Sequence, residues 1–378
     1  MSDVTRRTLL QSGATAATIF GANLVGGCGV ARTTGAGSGV ANGDYHMPVE
    51  QAPHARTFMQ WPVSTDVYDR DSLSRTQQAI ARIANMIVQF EPVVMLADAT
   101  HHAAARRRLD GAVTLWDVPT DDLWCRDSGP TFVLGADGDL AVMDFHFNGW
   151  GNKQPHANDA RIAGRVAARL GLPLIDSGLV GEQGGVEHDG AGLVLAHASS
   201  WVNPNRNRLG ADMIGDHLLA ALGGRRMIWA PGVIGADITD YHIDSLARFV
   251  APGKLLIQMP AALDRDDPWS RSAFETYEIL RRSVDMDNRP LEVISLAEPG
   301  DIRAMDADFV ASYVNYYVCN GAVISAQFGD SDADSAAAAL LASLYPGREV
   351  VMLDVDALGE SGGGIHCATQ QQPLGPAI

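Results

Sequence analysis

A four-fold repetition of one local pattern constrains the fold of this chain more than any other sequence feature. In each copy, two short apolar segments flank a polar turn typical of antiparallel strands, and an amphipathic helix and a third apolar segment follow. The turns are Ala136-Asp137-Gly138-Asp139, Asp189-Gly190-Ala191-Gly192, Ala251-Pro252-Gly253-Lys254 and Cys319-Asn320-Gly321-Ala322. Because similar units that recur along a chain pack side by side, the pattern predicts one repetitive α/β architecture.

A fifth unit has to be assembled from the two ends of the chain. The apolar segment around Phe58 and the segment 365–371 each lack the hairpin partner that the other copies contain. Pairing them would complete a ring of five ββαβ units and would cover the sheet edges at the chain ends. We therefore expect a single α/β domain over residues 44–378. The alternative is an ordinary α/β sandwich, which the hairpins disfavour.

The first 28 residues have the features of a twin-arginine export signal and are excluded from the fold. Thr5-Arg6-Arg7-Thr8-Leu9-Leu10-Gln11 precedes a mildly apolar stretch that is too short and too rich in glycine for a membrane span. Leu24-Val25-Gly26-Gly27-Cys28 resembles a lipoprotein cleavage box, which would leave Cys28 lipidated. Ordinary cleavage near Ala31 would instead release a soluble protein.

The following residues, 29–43, are rich in Gly, Ala, Thr and Ser and predict a flexible tether. We therefore expect an exported protein, periplasmic or otherwise extracytoplasmic. It would contact a membrane only through a lipid on Cys28.

Charge and cysteine content narrow the classes of partner. A formal net charge of -17 argues against nucleic acid and against anionic membranes, and favours cationic small molecules or basic peptides. The four cysteines show no C-x-x-C spacing, so neither a zinc site nor a disulfide framework is predicted. The spacing leaves a disulfide between Cys125 and Cys319 open.

Polar side chains recur just before the predicted hairpins, at intervals of roughly 50 to 75 residues. In a ring of repeats, equivalent strand ends converge on the central axis, so these side chains are expected to meet. They are Asp127, Glu182, His242, Asn315 and Cys367, with Asp244 two residues after His242. A thiol, an imidazole and carboxylates together form a set suited to nucleophilic catalysis.

Each candidate also has a structural interpretation. Cys367 follows three glycines, which suits a nucleophile exposed on a turn, but a lone cysteine is more often a buried core residue. His242 and Asp244 are predicted to share one face of a strand. A metal site would use similar residues, yet no further ligand cluster accompanies them, so no metal is expected. Asp127 alone suits a turn, and Glu182 alone suits a surface loop.

Several stretches resemble the agmatine deiminase family, which includes the bacterial type of peptidylarginine deiminase. The resemblance runs over about residues 45–373 in the family's order. It is carried by His46-Met47-Pro48-Val49-Glu50, Trp124-Cys125-Arg126-Asp127-Ser128-Gly129-Pro130, Phe147-Asn148-Gly149-Trp150-Gly151, Asn203-Pro204-Asn205-Arg206-Asn207, His242-Ile243-Asp244, Ala311-Ser312-Tyr313-Val314-Asn315-Tyr316-Tyr317 and residues 362–373. It implies the fold of the guanidine-modifying enzymes, a five-bladed α/β propeller.

The resemblance also implies a reaction, the hydrolysis of a guanidino group to a ureido group with release of ammonia. Cys367 would attack the guanidinium carbon as a thiolate and form a covalent amidino intermediate. Asp127 and Asp244 would grip the planar guanidinium. His242 would protonate the departing ammonia and then activate water, and Glu182 would orient His242.

The resemblance implies smaller roles for two further residues. The side chain of Trp124 would form one wall of the site, and Asn315 would line it. A structural hydrogen bond is an equally good interpretation of Asn315. The resemblance implies no metal and no organic cofactor.

The implied substrate is agmatine, converted to N-carbamoylputrescine. Arginine in peptides or proteins, giving citrulline, is the alternative that export favours, although the segment 148–151 lacks the arginines that would hold a C-terminal carboxylate. Gln183 replaces a glycine that is frequent in the family, and residues 186–190 differ from those of the agmatine enzymes. The resemblance therefore leaves open which residues bind the distal end of the substrate. A function of a different class is that of an exported polyamine- or guanidine-binding protein. It would bind its ligand through the same two aspartates and would need neither Cys367 nor His242.

Overall fold

The computed structural model describes residues 45–303 and 309–375. The predicted export signal, its possible lipidation at Cys28 and the predicted tether lie outside the described residues. Within these residues, no helix combines the length and the apolar character needed to cross a membrane.

Seventeen strands and ten α-helices account for the regular structure of the described residues. The strands are β1 (Tyr45–His46), β2 (His54–Gln60), β3 (Val93–Ala97), β4 (Thr114–Asp117), β5 (Thr131–Gly135), β6 (Leu140–Asp144), β7 (Leu174–Asp176), β8 (Val186–His188), β9 (Leu193–His197), β10 (Arg226–Ala230), β11 (Ala247–Ala251), β12 (Lys254–Met259), β13 (Glu292–Ala297), β14 (Tyr317–Cys319), β15 (Ala322–Ala326), β16 (Glu349–Leu353) and β17 (Thr369–Pro373). The helices are α1 (Arg70–Ile87), α2 (His102–Arg106), α3 (Cys125–Ser128), α4 (Gly149–Asn152), α5 (Ile162–Leu170), α6 (Ala198–Trp201), α7 (Ala211–Leu222), α8 (Pro268–Leu280), α9 (Ser331–Leu344) and α10 (Asp356–Glu360).

The strands form five separate sheets. Their strand orders are β1-β5-β6-β7, β10-β9-β8, β11-β12-β13, β14-β15-β16 and β17-β2-β3-β4. Each sheet contains an antiparallel pair followed by a strand that runs parallel to the second member of that pair. A helix connects the parallel strands in every unit, because a parallel connection needs a crossover. These helices are α5, α7, α8, α9 and α1.

The two chain ends share one sheet. Strand β17 pairs antiparallel with β2, and Gln370 lies opposite Phe58. The predicted pairing of the terminal segments is therefore confirmed, and it supplies the hairpin that the fifth unit lacks in sequence. The four predicted hairpin turns are confirmed as well, and each places a glycine at positive φ, namely Gly138, Gly190, Gly253 and Gly321.

The helices pack their apolar faces on the sheets and begin at defined caps. In α1, the side chain of Asp69 accepts hydrogen bonds from the backbone of Asp71 and Ser72, while Ile80 and Ile83 are fully buried in the core that also holds β3. Burial of each such side chain stabilises the fold by about 1.5–3 kcal/mol. The helices and strands thus form a packed core, and the loops before the first strand of each unit can hold binding or catalytic residues.

The described cysteines are Cys125, Cys319 and Cys367, which are all buried and form no disulfide with one another. The disulfide between Cys125 and Cys319 that the spacing left open is not formed.

Candidate active site

The predicted polar residues occupy loops or short turns directly before the first strand of each unit. Asp127 lies in α3 before β5, and Glu182 precedes β8. His242 and Asp244 precede β11, Asn315 precedes β14, and Cys367 precedes β17. Five segments that are distant in sequence thereby bring their polar side chains together in one buried site.

One local prediction was wrong. His242 and Asp244 do not share a strand, because His242 has extended backbone before a 3-10 turn over Ile243–Ser245 that contains Asp244. Asp240 and Tyr241 adopt positive φ values of 58° and 70°, which a strand does not accommodate. The Asp240 carboxylate is held by Lys153 and Arg206, so tertiary ion pairs stabilise this conformation.

The loop before Cys367 needs glycine for close packing. A side chain at Gly363 would meet the Trp124 ring at 2.4 Å, and one at Gly364 would meet Oδ1 of Asn315 at 2.4 Å. The backbone therefore lies directly on these two side chains, as a residue with a Cβ could not. This packing sets the position of the thiol that follows.

The thiol of Cys367 is buried and faces polar groups. Asn315 donates from Nδ2 to Sγ at 3.3 Å, and its Oδ1 accepts a hydrogen bond from the Cys367 backbone at 3.3 Å. Sγ lies 3.6 Å from Oδ2 of Asp244. The amide of Asn315 thus fixes both the backbone and the sulfur of the nucleophile candidate.

His242 is held between two carboxylates. Its Nε2 lies 3.1 Å from Oε2 of Glu182, and its Nδ1 lies 3.5 Å from Oδ1 of Asp127. Arg206 holds Glu182 from the other side, with Nε donating to Oε1 at 3.0 Å. All four side chains are buried.

These neighbours shift the pKa values of His242 and Glu182. Burial works to lower the pKa of His242, but the negative charge of Asp127 and the hydrogen bond to Glu182 outweigh it and raise the pKa. Burial works to raise the pKa of Glu182, but Arg206 and His242 bring it down to about 2. Glu182 is therefore ionised at neutral pH, and His242 keeps its proton to a higher pH than an exposed histidine.

Each aspartate has one oxygen held by an aromatic or imidazole N–H. Trp150 donates from Nε1 to Oδ2 of Asp127 at 2.9 Å. Nδ1 of His366 lies 2.7 Å from Oδ2 of Asp244. Burial works to raise the pKa of Asp244, but the hydrogen bond and charge of His366 lower it. Oδ1 of Asp244 is buried without a hydrogen-bond partner among the described residues.

Gly184 marks the point on which three of these groups converge. A Cβ built on it would lie 2.7 Å from Oδ1 of Asp127, 2.8 Å from Nδ1 of His242 and 3.2 Å from Oδ2 of Asp244. Two carboxylates and an imidazole thus pack directly on the backbone of Gly184 and leave no room for a side chain there. Such an arrangement suits a small planar cation that donates several hydrogen bonds.

His242, Asp244 and Cys367 line a cavity of about 200 Å³. The remaining predicted residues contact this lining, since Asp127 and Glu182 flank His242, Asn315 contacts Cys367, and Trp124 packs on Gly363. The cavity also contains the aromatic side chains of Tyr241, Trp269 and Phe309 and the acidic side chains of Asp237 and Glu298. Its described lining includes no arginine and no lysine.

A larger apolar cleft of about 700 Å³ lies beside β10 and α8, lined by Trp229 and Phe274. We place the chemistry in the smaller cavity, because the larger one holds none of the nucleophile, imidazole or paired carboxylate groups. Within 45–303 and 309–375, no cluster of three or more His, Cys, Asp or Glu side chains is arranged to hold a metal ion.

The amino-acid sequence of the chain matches the model of a known protein family. The model of the Porphyromonas-type peptidyl-arginine deiminases matches residues 46–373. The chain belongs to this family. The resemblance noted in the sequence is thereby confirmed over nearly the whole of the described chain.

Members of this family with assigned names are similar in sequence and structure. The agmatine deiminase of Medicago truncatula is 32% identical over 363 residues, which span 87% of this chain and 96% of that protein. A Streptomyces coelicolor protein with the provisional name agmatine deiminase is 36% identical over 341 residues, spanning 87% of this chain and 99% of its own. The solved structure of the Enterococcus faecalis agmatine deiminase matches with a TM-score of 0.81 at 27% identity, covering 87% of this chain and 96% of that one.

Sequence reasoning missed four side chains that complete the site of this family member. They are Glu50, Trp150, Arg206 and His366, which hold Asp244, Asp127 and Glu182 directly or through one another. All four lie within the stretches that carry the family resemblance. A polar or aromatic residue inside such a stretch was thus the available signal, but its partner could not be read from sequence.

Proposed function

We propose that this protein is an agmatine deiminase, a hydrolase that cleaves a C–N bond of a guanidino group. It converts agmatine and water to N-carbamoylputrescine and ammonia. The observation that carries the proposal is the convergence of a thiol, two carboxylates and a carboxylate-held imidazole on one acidic cavity. The names and similarity of the relatives support the same reaction.

Substrate capture uses the cavity that His242, Asp244 and Cys367 line. The guanidinium group of agmatine donates hydrogen bonds to the two aspartates, which keep it cationic and electrophilic. Oδ1 of Asp244 has no partner among the described residues and is available for this purpose. The Cys367 thiolate, 3.6 Å from the other oxygen of Asp244, is then placed to approach the guanidinium carbon.

In the first half of the reaction, the thiolate forms a C–S bond to the guanidinium carbon. The tetrahedral adduct collapses by cleavage of one C–N bond, and His242 gives its proton to the leaving nitrogen, which departs as ammonia. His242 is suited to this step because Asp127 and Glu182 raise its pKa and keep it protonated.

In the second half, neutral His242 takes a proton from water as the water oxygen bonds to the amidino carbon. The C–S bond then breaks and the hydroxyl group of the adduct loses its proton to solvent, so the neutral ureido product leaves, the thiolate is restored and His242 stays protonated for the next cycle. Glu182 keeps the imidazole oriented through both halves, because Arg206 anchors the same carboxylate.

The charge of the cavity favours agmatine over arginine. Agmatine has an ammonium group at the end opposite its guanidinium, whereas free arginine has a carboxylate there. Asp237 and Glu298 line the cavity, and its described lining offers no basic side chain to that carboxylate. Acidic groups at the outer part of the cavity would attract the ammonium and repel the carboxylate.

The test offers the chain from residue 44 onward agmatine, free arginine and a short arginine peptide in parallel, with ammonia and ureido product assayed for each. Turnover of agmatine alone is the expected result. Turnover of the peptide would make the protein a peptidylarginine deiminase instead. The Cys367→Ser variant should still bind agmatine but release no ammonia. Binding without turnover in the unaltered protein would overturn the enzyme assignment in favour of an exported guanidine-binding protein.

We further propose that the five sheets are the blades of one closed α/β propeller and that residues 1–28 direct export by the twin-arginine route. The pairing of β17 with β2 and the matching strand pattern of all five sheets support the propeller. Export is tested by locating the full-length chain and an Arg6→Lys, Arg7→Lys variant in fractionated cells. A Cys28→Ala variant in the same assay separates a lipid-anchored product from a released one.

A further inference from the structure

His366 links the substrate-binding carboxylate to a buried ion-pair network. Its Nδ1 lies 2.7 Å from Oδ2 of Asp244, and its Nε2 lies 2.8 Å from Oε2 of Glu50. Only 3% of the side chain is exposed. Although it precedes Cys367 in sequence, its ring is directed to Asp244 and Glu50.

Both carboxylates that flank this ring are ionised. Burial works to raise the pKa of Glu50, but Arg248, His366 and Arg126 hold it well below its usual range. The pKa of Asp244 is also lowered, against the effect of burial, mainly by His366. The ring of His366 therefore joins these two carboxylates, with one ring nitrogen at hydrogen-bond distance from each.

Glu50 in turn is anchored on several sides. Arg248 donates to its Oε2 at 2.9 Å and Arg126 at 3.2 Å, and the backbone N–H of Val318 donates to Oε1 at 2.8 Å. Glu50 is therefore a fixed point, and the ring of His366 extends from it to Asp244. A side chain held at both ends loses little further freedom when substrate binds.

We propose that His366 is a positioning residue, which clamps Oδ2 of Asp244 and leaves Oδ1 oriented toward the guanidinium group of the substrate. The proposal rests on the proposed function, since it concerns the grip on that substrate. The two oxygens of Asp244 differ in the required way. Oδ2 receives His366 and lies near Cys367, whereas Oδ1 is buried without a partner among the described residues. Without the clamp, the carboxylate could turn and lose the paired geometry that a guanidinium needs.

The experiment is a double-mutant cycle read out as agmatine binding. All variants carry Cys367→Ser, so no turnover disturbs the titration, and calorimetry gives Kd. His366→Gln keeps a hydrogen-bond donor but has only one donor group for the two carboxylates. We expect it to weaken agmatine binding about ten-fold and Asp244→Asn to weaken it about a hundred-fold. The double variant should bind as weakly as Asp244→Asn alone, because His366 acts only through Asp244.

A matched control is His54→Gln. His54 is also 3% exposed and also pairs with a buried carboxylate, Glu91, but it lies outside the cavity lining. It should leave Kd within two-fold. Melting temperatures of all variants show whether they are folded.

The outcomes separate the two proposals. An unchanged Kd for His366→Gln, or additive losses in the double variant, overturns the positioning role while the proposed function stands. Failure of the Cys367→Ser parent to bind agmatine overturns the proposed function itself.

Discussion

Nε2 of His242 lies 3.1 Å from Oε2 of Glu182, and both side chains are buried. Arg206 occupies the opposite side of the carboxylate, so Glu182 stays ionised and has little freedom to turn. This relationship raises the pKa of His242, the one histidine in the described lining of the cavity, and it has consequences for activity and for stability.

The first consequence concerns the pH dependence of activity. Glu182 contributes to the raised pKa of His242, so Glu182→Gln should lower that pKa. If protonated His242 is required for ammonia release, the alkaline limb of the kcat/KM profile moves to lower pH. Activity at neutral pH should fall about ten- to a hundred-fold. Glu91→Gln is the control, since Glu91 forms a buried pair with His54 away from the cavity. An alkaline limb that stays in place in Glu182→Gln contradicts the assignment.

The second consequence concerns acid stability. A carboxyl group whose pKa is about 2 in the folded protein and about 4.3 in the unfolded chain stabilises the fold above the unfolded value. That contribution, about 3 kcal/mol, is lost as the pH falls from about 4.5 toward 2. Denaturant unfolding at pH 6 and pH 3 should therefore show a smaller difference in free energy of unfolding for Glu182→Gln than for the unaltered protein. Equal differences in the two proteins would show that Glu182 does not carry this effect.

Gly184 should not tolerate even one methyl group. Its Cβ would lie 2.7 Å from Oδ1 of Asp127 and 2.8 Å from Nδ1 of His242, so both groups would have to move. We expect Gly184→Ala to lower kcat/KM at least about a hundred-fold, because small displacements of reacting groups have effects of this size. Gly111→Ala is the matched control, since a Cβ there meets nothing within 4 Å. Full activity in Gly184→Ala would show that Asp127 and His242 do not need these positions for catalysis.

Trp150 is expected to orient Asp127 through its indole N–H, which donates to Oδ2 at 2.9 Å. Trp150→Phe keeps an aromatic ring and loses this hydrogen bond to a charged acceptor. The loss is about 2 kcal/mol, or about thirty-fold in kcat/KM for agmatine. Trp61→Phe provides the comparison, because the buried N–H of Trp61 has no hydrogen-bond partner in the described part of the chain. Equal activities of the two variants would argue against a role for Trp150 beyond packing.

Glu298 tests the preference for a substrate with a distal ammonium group. It lines the cavity with its side chain open to solvent on one side, and partial loss of solvent together with the charge of Asp267 raises its pKa. Glu298→Gln should raise KM for agmatine about three- to five-fold, the size expected for an exposed ion pair. Butylguanidine lacks the ammonium, so its KM should not change. An equal rise in KM for both substrates would show that the ammonium group of agmatine does not lie near Glu298.

Much of the fold was readable from sequence because it depends on local interactions. Strand and helix periodicities identified the repeated units, and turn glycines such as Gly138 and Gly321 identified the hairpins, since positive φ is a property of single residues. The same repetition predicted that the chain ends would pair, and Phe58 does lie opposite Gln370. Repeat spacing also located the loops that carry Asp127, Glu182, His242, Asn315 and Cys367.

The tertiary structure alone decided which polar groups face each other. His366 is next to Cys367 in sequence, yet its partners are Asp244 and Glu50, which come from the starts of other units. Arg206 meets Glu182 and Asp240 only after folding, and these ion pairs replace the strand predicted at His242 with a left-handed bend. Periodicity and turn signals record local preferences of the backbone, whereas the direction of a buried side chain depends on charges and hydrogen bonds supplied by distant segments.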